Sequence, residues 1–226
     1  MLLAAGKGER MLPLTESTPK PLLNIGQHSL IEHHLLRLAK LGFEDIVINI
    51  AYLSEQIKDA LKDGSKYGVK ITYSDESKTG ALETAGGIKK AQPLIKSDPF
   101  IVINSDIYTD FPFDKLAVNF NKQAKLILVT NPEHNPNGDF AVSKENLVTQ
   151  KTNPLDPSFT FSGIAIYQKS VFEDIKNEKQ ALLPVFNSLI EKQQMQGEIY
   201  TGGWTDVGTP ERLKKLDNAL QNKTYD

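Results

Sequence analysis

The 226-residue chain contains no cysteine, and that one absence removes disulfides, zinc-thiolate sites and thiol nucleophiles together. It also lacks an excess of charge of either sign. Lys and Arg number 26 against 28 Asp and Glu, for a formal net charge of −2, which argues against a dedicated nucleic-acid or polybasic membrane binder. No run approaches the roughly 20 apolar residues needed to cross a bilayer. The start, Met1 to Gly8, has no basic leader followed by a long apolar stretch, so it does not read as a signal peptide. The expectation is a cytoplasmic protein with neither nucleic acid nor membrane as partner.

What is present is enough apolar material, 39% of residues, for one sizeable core and a single domain over 1–226. Apolar β-type runs alternate with segments of helical period. Ile46–Ile50, Val69–Tyr73, Phe100–Asn104 and Leu126–Val129 read as strands, and the first, third and fourth are almost unbroken, as in strands covered on both faces. The clearest helix runs from Ser29 to Leu41, with Leu30, Ile31, Leu35, Leu38 and Leu41 on one face. Ser29 and Glu32 have the spacing of a capping box, and Gly42 stands where a left-handed terminal residue is wanted. His33 and His34 fall inside this helix and read as surface or flank residues. A second helix starts near Ser54, and another at Thr209 with Pro210 in its first turn. Asp139–Ser143, Leu147–Thr149 and Phe159–Tyr167 look like strands of an antiparallel or mixed addition. The class predicted is α/β: a three-layer α/β/α, Rossmann-like mixed sheet, mostly parallel.

The most informative segment is Leu2-Leu3-Ala4-Ala5-Gly6-Lys7-Gly8-Glu9-Arg10, followed ten residues on by Pro19-Lys20-Pro21. A strand runs into glycines that let backbone amides approach an anion closely. Arg10 adds a permanent bidentate phosphate donor, and two prolines stiffen the chain around Lys20. A Walker loop would need Gly-Lys-Ser/Thr, which is absent. A dinucleotide fingerprint would need a third Gly or Ala where Arg10 stands, and Pro13 follows closely. The bland alternative is a glycine-rich turn without a ligand. Asp106 follows an apolar strand and should sit at its carboxyl end, where open α/β sheets place ligands. The alternative for Asp106 is a turn or cap residue.

The pattern Leu3-Ala4-Ala5-Gly6-x-Gly8-x-Arg10-x-x-Pro13-Leu14-Thr15 with Pro19-Lys20-Pro21-Leu22 resembles the signature of the sugar-1-phosphate nucleotidylyltransferases. Glu83-Thr84-Ala85-Gly86-Gly87, Asn104-Ser105-Asp106, Phe161-Ser162-Gly163 and Trp204-Thr205-Asp206-Val207-Gly208 extend the likeness over nearly the whole chain. The resemblance implies the nucleotide-diphospho-sugar transferase type of fold. It also implies Mg²⁺ on Asp106 and Asp206, with Arg10 and Lys20 completing the catalytic set. Ala5, Gly6, Gly8, Glu83 and Thr84 become nucleotide-binding candidates, Thr84 being open to a second reading as a helix cap behind a flexible segment 74–80. Gly138, Ser162, Gly163 and Trp204 become sugar-binding candidates, although the sole tryptophan equally suits a core.

Compact length and the Leu82-Glu83-Thr84 element look nearest to the uridylyltransferases of the family, implying UTP and an aminosugar 1-phosphate as partners. Guanylyl or thymidylyl transfer to a hexose 1-phosphate, and a silent nucleotide-sugar sensor, are the alternatives. Three features depart from the family pattern. Ser105 replaces the usual glycine. The usual Glu-Lys-Pro element reads Gln150-Lys151-Thr152-Asn153-Pro154, without its acid. Only three residues precede the loop, which suggests that native residues are missing there. No C-terminal left-handed β-helix is expected.

Overall fold

The computed structural model describes residues 1–151, 153 and 156–222. Its centre is a seven-stranded sheet of β1 (Leu2–Leu3), β2 (Asp45–Ile50), β3 (Lys70–Asp75), β4 (Phe100–Asn104), β5 (Ala124–Val129), β6 (Thr160–Tyr167) and β7 (Met195–Tyr200). The spatial order is β7-β5-β6-β4-β1-β2-β3. Only β6 runs antiparallel to its neighbours, β4 and β5. The other pairings are parallel, so the mixed, mostly parallel sheet read from the sequence is the one found.

Side-chain alternation explains the unbroken apolar runs. Along β2, Ile46, Ile48 and Ile50 pack into a core with α1 (Leu30–Lys40) and α2 (Ser54–Leu61). Val47 points the other way, into a core shared with α3 (Glu83–Ala91) and α4 (Leu183–Glu191). A strand covered on both faces has no solvent side on which to place polar residues, and each fully buried Ile or Val contributes roughly 1.5–3 kcal/mol. The helix α5 (Pro210–Gln221) closes a smaller cluster in which Leu216 and Val207 meet Met11, Ile25 and Leu30.

The capping box of α1 is present: the Glu32 carboxylate accepts from both the amide and the hydroxyl of Ser29 at 2.9 Å. Gly42 takes φ +83° just past the helix. The histidines of α1 are a correction. His34 is 3% exposed, and its Nε2–H donates to the Ile107 carbonyl at 2.8 Å. Burial holds its imidazole down to about 4, although the bond to Ile107 works in the opposite direction. His33 is half-buried and donates to the Ile25 carbonyl. Hydrophobic spacing marks the core face of a helix but is silent about a buried side chain that needs a single carbonyl.

Two further corrections concern the start of α3. Leu82, not Thr84, precedes the first turn as its cap residue, with no side-chain cap bond. Ser74 and Asp75, placed in a flexible segment by the sequence, finish β3 as partners of Asn49 and Ile50. Thr152 and Pro154 of the stretch replacing the Glu-Lys-Pro element lie outside the described residues. Among the described residues, no helix is long and apolar enough to cross a membrane.

Candidate active site

The shortest strand of the sheet is also one of its central ones. β1 lies between β2 and β4, and the chain leaves the sheet at Ala4, whose amide is held by the carbonyl and the Oδ1 of Asn49 at 3.2 and 3.0 Å. The loop then turns at Gly8, with φ +66°, and its carbonyl accepts from the Met11 amide and the Thr15 hydroxyl at 2.8 Å each. A Cβ on Gly8 would lie 3.1 Å from the Cβ of Lys20, so this glycine serves both the turn and the close seating of the lysine stem. Lys20 opens the single turn Lys20–Leu22 and is 9% exposed. Its ammonium donates to Asp106 Oδ2 at 2.5 Å.

Asp106 directly follows Ser105, whose amide and hydroxyl both reach back to the Leu3 carbonyl, at 3.1 and 2.6 Å. The Ser105 hydroxyl therefore adds a second tie between the end of β4 and β1. Beyond Asp106, residues Ile107–Thr109 form an antiparallel ladder with Trp204–Asp206, and Asp206 stands opposite Ile107. The Val207 amide donates to the Asp106 carbonyl at 2.8 Å. Asp206 thus ends one strand of this ladder, and Asp106 sits in the turn that leads into the other. Asp206 is held from both sides, Oδ1 by His134 Nε2 at 2.9 Å and Oδ2 by Arg212 Nη2 at 2.8 Å. Arg212 also donates through Nε to the Asp206 carbonyl at 3.1 Å, and the Thr209 hydroxyl caps α5 by accepting from the Arg212 amide.

A cleft of about 910 Å³ opens over these strand ends. Of the residues singled out by sequence, Gly6, Gly8, Arg10, Lys20, Glu83, Thr84 and Asp106 line it. Ala5 is buried beneath the loop. Asp206 does not line the cleft, but Gly208, two residues on, does. Sequence reasoning missed Lys7 and Lys179, which add two cations to the wall. Lys7 sat in full view between the glycines. Lys179 comes from a remote segment and lies 3.5 Å from Glu83 Oε1. His134 carries no motif signal, and only the fold brings it to Asp206. Glu83 has φ +58°, an uncommon conformation for a side chain of this size and one found at ligand-binding turns.

None of the sugar-side candidates lines the cleft. The Ser162 hydroxyl is 1% exposed as a residue and donates to the Ile127 carbonyl at 2.7 Å, so it is committed to the β6 bulge. Gly163, with φ +81°, packs where a Cβ would be 2.8 Å from the Asn104 amide group, and Asn104 lines the cleft. The Trp204 indole donates to the Ser162 carbonyl at 2.9 Å and rests against the core. Gly138, with φ +60°, turns the loop that carries His134, packed against Asn131.

The acids present fit a hard divalent cation. Among the described residues no group of three or more His, Asp or Glu side chains could hold a metal by itself. Two adjoining carboxylates, Asp106 and Asp206, are what Mg²⁺ takes from a protein when phosphate oxygens and water complete its octahedron. Both acids already carry a cation, Lys20 on Asp106 and Arg212 on Asp206, so a divalent ion would share or displace these contacts.

The cleft thus joins the strand ends of a mostly parallel sheet to a cationic glycine loop and a lysine seated on an acid. The chain belongs to the nucleotidyl transferase family, whose model matches residues 1–223. It is similar to the N-acetylmuramate alpha-1-phosphate uridylyltransferase of Neisseria meningitidis serogroup B, with 47% identity over 221 residues and 95% of each chain covered. It is also similar to the mannose-1-phosphate guanyltransferase of Saccharomyces cerevisiae, 32% identical over 93% of this chain and 61% of the yeast protein. In fold it matches the crystal structure of a putative glucose-1-phosphate thymidylyltransferase from Bacillus anthracis, with a TM-score of 0.84 at 22% identity, covering 98% of this chain and 94% of the other.

Proposed function

We propose that the protein transfers the uridylyl group of UTP to an aminosugar 1-phosphate, N-acetylmuramic acid 1-phosphate, in the cytoplasm. Pyrophosphate leaves and a UDP-sugar forms, of use in peptidoglycan recycling. The observation that carries this reading is the 47% identity over 95% of both chains to an enzyme of that name. It is supported by the gathering of Arg10, Lys20 and Asp106 around one cleft.

A phosphate oxygen of the sugar 1-phosphate attacks the α-phosphorus of the triphosphate in line. A new P–O bond forms as the bond to the α,β-bridging oxygen breaks, and pyrophosphate departs with that electron pair. The nucleophile is already an anion near pH 7, so no side chain has to remove a proton. Rate acceleration then comes from positioning and charge neutralisation. Lys20, anchored on Asp106, is aimed at the reacting phosphates. Arg10, exposed and without a side-chain partner among the described residues, is free to fold onto the triphosphate and the developing pyrophosphate. Ala5, Gly6 and Gly8 offer backbone to the nucleotide, with Glu83 and Thr84 on the opposite wall. Gly163 backs Asn104 at the cleft wall, and Gly138, Ser162 and Trp204 are the other residues assigned to the sugar side. Asp106 and Asp206 are the residues that would hold Mg²⁺, which would supply polarisation of the α-phosphate. His134 and Arg212 orient the Asp206 carboxylate.

Pyrophosphate release, measured over a panel of UTP, GTP and dTTP against N-acetylmuramic acid, mannose and glucose 1-phosphates with Mg²⁺, tests the reading. The expected result is turnover with UTP and the aminosugar. A preference for GTP with mannose 1-phosphate would instead follow the relatives that share about a third of the sequence. Nucleotide binding without release in every combination would mark a sensor.

A further inference from the structure

The least exposed carboxylate among the described residues is not among the groups described above. Glu76 is 0% exposed, and among the described residues it has no Lys, Arg or His in salt-bridge range. A buried acid without a counter-ion is costly unless its oxygens are satisfied by donors. Here both are. Oε1 accepts from the Asn49 amide group at 2.8 Å and Oε2 from the main-chain amide of Leu82 at 2.8 Å. Asn49, itself 3% exposed, passes the connection on, because its Oδ1 accepts from the Ala4 amide at 3.0 Å.

The chain Ala4–Asn49–Glu76–Leu82 therefore joins the two walls of the cleft. Ala4 is the root of the glycine loop and lines the cleft. Leu82 immediately precedes Glu83, which lines the opposite wall with φ +58°. The same carboxylate sits at the N-terminal end of α3, where the helix favours negative charge. Gly87, in the next turn of α3, makes room for the arrangement, since a Cβ there would come within 2.9 Å of both Asn49 Nδ2 and Glu76 Oε1. Each link has a fixed polarity, amide hydrogen to oxygen, so the pin has one length and one orientation.

We propose that Glu76 is a positioning residue that sets the separation of the two walls between which the nucleotide base enters, and thereby the affinity for base over bare phosphate. This rests on the nucleotide-transfer reading of the cleft and adds to it a residue that does not touch the ligand.

The experiment compares equilibrium binding of UTP with that of inorganic tripolyphosphate, which engages the cationic loop without a base, in the Mg²⁺-loaded protein. Glu76→Gln keeps the shape but sets an NH₂ against one of two donors. It is expected to weaken UTP about ten-fold while leaving tripolyphosphate within about two-fold. Asn49→Asp alone, which faces two carboxylates, is expected to act in the same sense. The exchange Asn49→Asp with Glu76→Gln restores every donor–acceptor pair in the chain. It is expected to recover UTP affinity, a recovery that general loosening of the fold would not produce. Equal weakening of both ligands in the single variants, or no recovery in the exchanged pair, overturns the proposal. A wild-type protein that binds UTP no better than tripolyphosphate overturns the nucleotide reading first, and this inference with it.

Discussion

The main-chain amide of Val207 donates to the carbonyl of Asp106 at 2.8 Å, and through it two acids a hundred residues apart in the chain are brought to one end of the ladder between Ile107–Thr109 and Trp204–Asp206. Convergence of the acids comes from backbone pairing, so it does not depend on the charges of the side chains. That separation of scaffold from charge allows the site to be tested without unfolding it.

Asp106→Asn keeps the shape of the side chain and removes its charge. Turnover is expected to fall by about 10³ or more, since the variant loses both the proposed metal ligand and the anchor of Lys20, with little change in melting temperature. Lys20→Ala should behave likewise. Pyrophosphate release and thermal unfolding of the purified variants check this, and near-normal turnover removes the residue from the chemistry.

Gly208→Ala is predicted to act on Asp206 from a distance. The added Cβ would collide with Arg212 Nη2 and approach Asp206 Oδ2 to 3.0 Å. The end of a long side chain can yield at small cost to folding, but only by leaving the carboxylate. The expected outcome is a weakened metal requirement profile, read as a higher Mg²⁺ concentration for half-maximal rate, with stability within about 1 kcal/mol of wild type. An unchanged Mg²⁺ dependence would show that Arg212 does not orient Asp206.

Arg10→Ala removes a side chain with no partner among the described residues. Folding should be unaffected, whereas turnover should drop by about 10³, the lower end of what a well-placed arginine supplies in related phosphoryl transfer. A variant with full activity would assign the developing charge to Lys7 or Lys179 instead.

His34 gives the fold a pH dependence of known sign. Its folded-state value of about 4 lies below the ordinary 6.5, so between these values the unfolded chain binds a proton that the native protein refuses. Stability from this group is complete above about pH 6.5 and is lost as the pH falls towards 4, by on the order of 3 kcal/mol. Urea unfolding at pH 7 and pH 4.5 should show a smaller loss for His34→Gln, which keeps a donor for Ile107, than for wild type. Parallel losses would place the acid sensitivity elsewhere.

Much of the nucleotide side was readable because it is local. Gly6, Gly8, Arg10 and Lys20 lie within fifteen residues of one another, and glycine and proline restrict the backbone by their own covalent structure. Glu83 and Thr84 were found through a motif, yet the residue holding their loop, Glu76, was not. An isolated glutamate after a strand looks like any solvent-facing acid until its burial is known. His134, Lys179 and the burial of His34 were hidden for the same reason, each depending on a partner in a distant segment.

The alternation of apolar runs with helical periods determined the layered α/β architecture, because a two-faced sheet needs continuous hydrophobic strands and helices with one apolar side. Capping box, terminal glycine and the Thr209-Pro210 start likewise follow from neighbours a turn apart. The tertiary structure alone decided which acids meet, which cations neutralise them and which polar side chains are sealed inside. Those outcomes rest on strand order and register, and register is set by the packing of the whole sheet rather than by any short stretch of chain.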